Sequence, residues 1–261
     1  MHAKNFLPLT ALLLLLTAGQ AETTVVPPPA FQAKIETGVI YSRGDYGLTE
    51  DTTVLVAPFS LSYEGGPWTW RVTVPWLMID GPASVIADSG AGASGPERPT
   101  TENESGLGDS TVSLTYKLNP GADHLNVDLT GRIKLPTGDD DRGIGTGEID
   151  TYAQVDLYRT YGGITPFGSI GYRWLGDGRY LLEDGAYASG GLLFTIATGT
   201  SIGVSYEWRD AIVDGGDDAR EASVFMFKRL NDRWNLNVSV MRGFTDSSAD
   251  FGAGAQLSYS F

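Results

Sequence analysis

Residues able to do covalent chemistry are scarce in this chain. Its 261 residues include two histidines, His2 and His124, and no cysteine. A hydrolase would need a nucleophile and a base, most often serine and histidine. No G-x-S-x-G elbow occurs. His124 follows Pro120-Gly121-Ala122-Asp123, a turn sequence, and reads as a surface residue at a strand start. Lack of cysteine excludes disulfides, a thiolate nucleophile and a Cys-ligated zinc site. With so few histidines, a histidine-rich metal centre is excluded as well. Asp139-Asp140-Asp141 has the hard oxygen ligands that Ca²⁺ prefers, but Arg142 breaks the spacing of an EF-hand, and a solvated acidic loop accounts for the same residues. No catalytic residue, metal or cofactor is therefore expected, and the chain is not read as an enzyme.

The remaining chemistry is electrostatic. Arg71, Asp128, Arg132, Lys134, Glu207 and Arg209 stand in the middle of otherwise alternating apolar segments. Lysine and arginine total 18 against 32 aspartate and glutamate, a formal charge of -14. Such a chain lacks the basic surface that nucleic acid requires, so nucleic acid is not an expected partner.

The elements that must position these charges are strands. Trp68, Trp70, Val72, Val74 and Trp76 alternate with Thr69, Arg71, Thr73, Pro75 and Leu77. Leu125, Val127, Leu129, Ile133 and Leu135 alternate with Asn126, Asp128, Thr130, Arg132 and Lys134. Ile202, Val204, Tyr206 and Trp208 alternate with Gly203, Ser205, Glu207 and Arg209. A period of two sends each set to its own face. About twelve such segments recur, the pattern of a membrane barrel. They lie near 33–43, 52–64, 68–79, 109–118, 124–135, 149–161, 165–174, 186–197, 201–210, 220–230, 234–243 and 250–261. Those near 52–64, 186–197 and 220–230 alternate poorly, and Val224 to Phe227 is a continuous apolar run. Short turn sequences, such as Glu64-Gly65-Gly66-Pro67 and Thr198-Gly199-Thr200, alternate with longer connections at 80–108, 136–148, 175–185 and 211–219.

A secreted β-sandwich would also alternate, but its polar face meets water and its oily face a packed core. Here the oily faces carry aromatics near strand ends, namely Trp68, Trp76, Tyr116, Trp174, Trp208, Trp234, Tyr259 and Phe261. Amphipathic rings suit the two bilayer interfaces. The expected fold is thus all-β, a transmembrane antiparallel up-and-down barrel of about twelve strands with a wet interior. Residues 1–21 read as a secretory signal, with Lys4, an apolar run from Phe6 to Ala18 and a small-x-small site at Gly19-Gln20-Ala21. Residues 22–32, with Pro27 to Pro29, read as an extended periplasmic lead, and 33–261 as the barrel. Lipid and lipopolysaccharide are the expected surroundings, the latter reachable through divalent ions at the acidic loop. The last segment ends on an outward aromatic, Phe261. That ending resembles the C-terminal signal of Gram-negative outer-membrane proteins, which implies recognition by the barrel-insertion machinery.

A more particular likeness lies in the middle. Gly106-Leu107-Gly108-Asp109 opens one strand, and Lys134-Leu135-Pro136-Thr137-Gly138 ends the next. Gly143, Gly145-Thr146-Gly147 and Asp150 then lead into a third. This pattern resembles a family of outer-membrane proteins named for the MetA pathway of phenol degradation. The likeness implies an exported barrel that carries small solutes, with aromatic compounds as the implied class. The residues themselves read structurally. Pro136 cannot donate to a ladder and ends its strand, the glycines permit positive φ, and no Gly-Lys-Ser/Thr phosphate loop is present.

Inside such a barrel, Lys34, Arg71, Lys117, Arg132, Lys134, Arg173 and Arg209 are expected to point inward, with Glu36, Asp128, Asp156 and Glu207 among them. The apparent basic excess would favour anions, and the acidic loops would oppose them at the mouth. Two functions follow. One is a channel or transporter for small solutes, with 80–108 as gate or plug. The other is a structural or adhesion barrel with a sealed lumen and its function in the loops.

Overall fold

A computed structural model describes residues 32–46, 48–82, 103–118, 120, 124–176, 178 and 182–261. The expected signal sequence, the expected Pro-rich lead except Gln32, and most of the 80–108 connection lie outside the described residues, and so does the gate expected there. Thirteen strands run in chain order: β1 (Gln32–Gly44), β2 (Thr52–Gly65), β3 (Trp68–Asp80), β4 (Glu104–Leu107), β5 (Ser110–Leu118), β6 (Asn126–Leu135) and β7 (Asp150–Tyr158), then β8 (Ile164–Trp174), β9 (Gly185–Ala197), β10 (Thr200–Arg209), β11 (Ala219–Arg229), β12 (Trp234–Gly243) and β13 (Phe251–Ser260). Every pairing is antiparallel between neighbours, and β1 joins both β2 and β13, which closes the sheet. Closure removes the unpaired edge that hydrocarbon would not tolerate.

β4 and β5 are one barrel strand broken by a bulge, so the closed wall has 12 staves. Thr73 pairs with Thr111 and Trp76 with Leu107. Two residues of β3 (Val74, Pro75) thus face three (Gly108, Asp109, Ser110). The extra residue reverses the alternation: Leu107 is 51% exposed on the outer face, whereas Asp109 turns inward and is 1% exposed. Pairing therefore begins at Glu104, earlier than the alternation suggested, because the bulge hides the period.

The outer face is apolar around the whole barrel. Phe59, Trp70, Leu129, Ile133, Ile170, Val204, Val224 and Val240 are among its exposed side chains. Such a continuous apolar surface matches the lipid-facing band of a membrane barrel. Paired rings mark both rims: Trp68 with Tyr116 and Trp234 with Tyr259 at the turn end, Tyr172 with Trp174 at the loop end. No helix among the described residues is long and apolar enough to cross a membrane. The ambiguous run resolves by register, with Phe225 and Phe227 buried inward and Val224 exposed outward. The start of β1 meets the residue after β13 at the turn end, where the Phe261 amide donates to the Ala33 carbonyl at 3.0 Å.

Candidate functional site: the barrel interior

The three parts of the central motif converge on one point of the inner wall. The bulge aims Asp109 at the connection after β6. One oxygen accepts from the Gly138 amide at 2.9 Å, and the other from the Thr146 amide at 3.0 Å. Lys134 Nζ lies 3.0 Å from Asp109 and 2.6 Å from Asp150, and also donates to the Thr146 hydroxyl. Thr137 donates to the Gly108 carbonyl at 2.8 Å and accepts from the Ser110 amide at 2.8 Å. Asp150 also accepts from the Gly176 amide at 3.0 Å, which ties in the next long connection. Gly147 has φ of 75°, as its place in a loop anticipated. Gly145 does not need positive φ; a Cβ there would press on Asp109 Oδ1, so its glycine permits close approach.

This lashing folds 136–149 into the barrel. Ile144 is fully buried against inward residues of β1–β3, namely Ile40, Val54, Val56, Leu77 and Ile79, with Tyr46 and Ala249 completing the cluster. Burial pushes the Tyr46 phenol up from its ordinary value. The loop end of the β1–β3 side is therefore filled with an apolar cap.

All eleven expected inward residues lie on the inner face, in separate groups. Glu36 is shared by Lys34 (3.3 Å) and Arg71 (3.5 Å). Lys117 pairs with Glu64 at 3.1 Å. Arg132 lies 3.8 Å over the Tyr152 ring, a cation–π contact. Arg173 donates to the Asp210 carbonyl. Arg209 sits between Glu207 (3.2 Å) and Glu221 (2.8 Å). Asp128 and Asp156 oppose each other across β6 and β7. Asp156 accepts from Gln154 at 2.7 Å, while neither Asp128 oxygen has a hydrogen-bond partner among the described residues.

The expected basic excess is thereby corrected. Glu64, Asp109, Asp150 and Glu221 also face inward and neutralise the cations; the bulge, and the poorly alternating strands β2 and β11, concealed three of them. Asn237, Gln256, Tyr152 and Tyr187 were likewise not anticipated, although Asn237 and Gln256 stand on polar positions of alternating strands. His124 is exposed at the turn end. Its carbonyl accepts from Asn126 Nδ2 at 3.1 Å. Asp139 accepts from the Arg142 amide at 3.2 Å. No group of three or more metal-ligating side chains occurs among the described residues.

The family described as "Putative MetA-pathway of phenol degradation" matches residues 17–261. The chain belongs to this family. No curated protein matches it in sequence. Among solved structures, an outer membrane channel from Pseudomonas putida F1 is 16% identical, with TM-score 0.67, covering 93% of this chain and 99% of that one. KdgM porin is 10% identical, with TM-score 0.54, covering 87% and 99%. NanC porin is 10% identical, with TM-score 0.55, covering 86% and 98%. At these identities the likeness is one of fold. In this family member, Gly108, Asp109, Lys134, Thr137, Gly138, Thr146 and Asp150 lash an inward loop to a bulge in the wall.

Proposed function

We propose that this chain is an outer-membrane channel for small solutes, with its turn end and both termini in the periplasm and its long connections outside. One observation carries the reading: a closed wall that is apolar outside is lined inside by charged groups, hydroxyls and glycines. Membership in the family and the fold likeness to channels and porins support it. The reading is non-enzymatic: it draws on the fold likeness to channels and porins, and His124 stands exposed at the turn end. Phe261, exposed beside Tyr259 at the end of β13, is the feature offered to the barrel-insertion machinery. Small aromatic compounds are the first solutes to test, because the family description names phenol degradation. Neutral ones are favoured over carboxylated ones, since the inner cations are paired.

The sealed-lumen reading has its own observation, the apolar cap around Ile144. Planar-bilayer recording separates the two. Discrete conductance, with faster liposome swelling in neutral aromatics than in aromatic acids or sugars, supports the channel. A silent, correctly folded barrel overturns it in favour of the sealed form.

A further inference from the structure

The interior is lopsided. On the β1–β3 side the inner face is filled, by the Ile144 cap toward the loop end and by the Lys34–Glu36–Arg71 group toward the turn end. The small polar residues Ser42, Ser60, Ser62 and Thr73 there are buried, and the hydroxyls of Ser60 and Thr73 bond each other at 2.8 Å. On β8–β13 the mid-strand inner positions are Ser169, Ser189, Ser205, Ser223, Ser239 and Gly254, all partly exposed. Larger residues on that wall lie flat. Tyr187 stands opposite Gly171, Phe167 opposite Gly191, and Phe225 opposite Gly203. In each pair a Cβ on the glycine would overlap the facing ring. The rings thus occupy the space that side chains would take, and they cover glycines instead of projecting into the lumen. A second observation points to a ligand. Asn237 and Gln256 face each other across β12 and β13, next inward of Ser239 and Gly254 along their strands. They are 5% and 7% exposed, and both amide atoms of Asn237 and the Gln256 oxygen have no hydrogen-bond partner among the described residues. Buried polar groups without partners are costly, so a hydrogen-bonding occupant is the natural complement.

We propose that the solute path runs off-centre, along the inner wall of β8–β13, that the glycine–ring pairs at Gly171 and Gly203 hold its width, and that Asn237 and Gln256 form a hydrogen-bonding station for solutes carrying hydroxyl or amide groups. The proposal rests on the channel reading.

The absence of native cysteine permits a direct test in the full-length protein. Single substitutions Ser189→Cys, Ser205→Cys and Ser239→Cys are compared with Ser60→Cys and Thr73→Cys, using a charged methanethiosulfonate reagent during bilayer recording. The expected result is at least about a twofold fall in conductance for the first set and none for the second, because a charge placed in the path alters ion passage. Gly203→Ala and Gly171→Ala should narrow the conductance, whereas Gly131→Ala, on the outer face with open space around it, should leave it unchanged. Phe225→Ala should widen it. Asn237→Leu should abolish competition of a hydroxylated aromatic with ion current. A conducting wild type that reacts equally on both sides, or only at Ser60 and Thr73, overturns this path and leaves the channel reading standing. A silent wild type overturns the channel reading and this path with it.

Discussion

At the scale of single residues, Lys134 shows how position outweighs type. As an inward cation on β6 it reads as part of a solute-steering field. In the structure it is fully buried between two carboxylates and a hydroxyl, so its charge is spent on holding the β6–β7 connection. Removing one partner of a buried ion pair leaves uncompensated charge, and here it would strand both Asp109 and Asp150. Lys134→Ala is expected to lower unfolding stability by about 3–5 kcal/mol, measured by urea titration in detergent with tryptophan fluorescence. An unchanged midpoint would contradict the lashing role. Asp128 and Asp156 are the opposite case. Like charges directly across two strands repel, and only Lys117, opposite Asp128, is in register to offset them. Most inner cations elsewhere already lie against carboxylates, which leaves these two acids as the least compensated negative charge of the lumen. Asp128→Asn combined with Asp156→Asn is therefore expected to shift the reversal potential under a salt gradient toward anion preference, whereas Arg209→Gln, which leaves Glu207 and Glu221 without their cation, should shift it toward cation preference.

At the scale of elements, each strand is defined by two solvents rather than by its own propensity. β6 is the clearest case: Leu129 and Ile133 meet lipid, Asp128, Arg132 and Lys134 face inward, and the two sets never mix. A charge on the lipid face costs most near mid-bilayer, so Leu129→Arg should destabilise the folded barrel by about 2–4 kcal/mol in vesicle-based unfolding. Leu129→Val should stay near wild type. β2, β9 and β11 were harder to read because both of their faces carry apolar side chains. Val54 and Val56 on β2 fill the inner cap while Phe59 and Leu61 meet lipid. Phe225 on β11 lies on the inner wall because Gly203 across from it makes room for its ring, and Phe227 packs beside it. A hydrophobicity pattern records polarity, and polarity is silent when an apolar residue is buried inside instead of dissolved outside.

At the scale of the whole molecule, the barrel divides into a filled side and a thin side, and each proposed function draws on one of them. With the path along β8–β13, Ile144→Asp on the opposite side is expected to leave conductance in planar bilayers unchanged, and a rise would show instead that the apolar cap seals the lumen. Much of this protein was legible from its residues alone. Most strand positions, the lipid-facing sets and the inward direction of the charged residues on the alternating strands follow from a period of two, and the short and long connections from their turn residues; both are local properties of the chain. Only the tertiary structure decided which inward groups meet. Asp109, Lys134 and Asp150 come from three separate strands, and a single bulged residue turns the first of them inward. The charge balance of the lumen, the Ile144 cap and the lopsided wall likewise depend on register and closure. Those are set by the summed pairing of all the strands, and no single strand carries them.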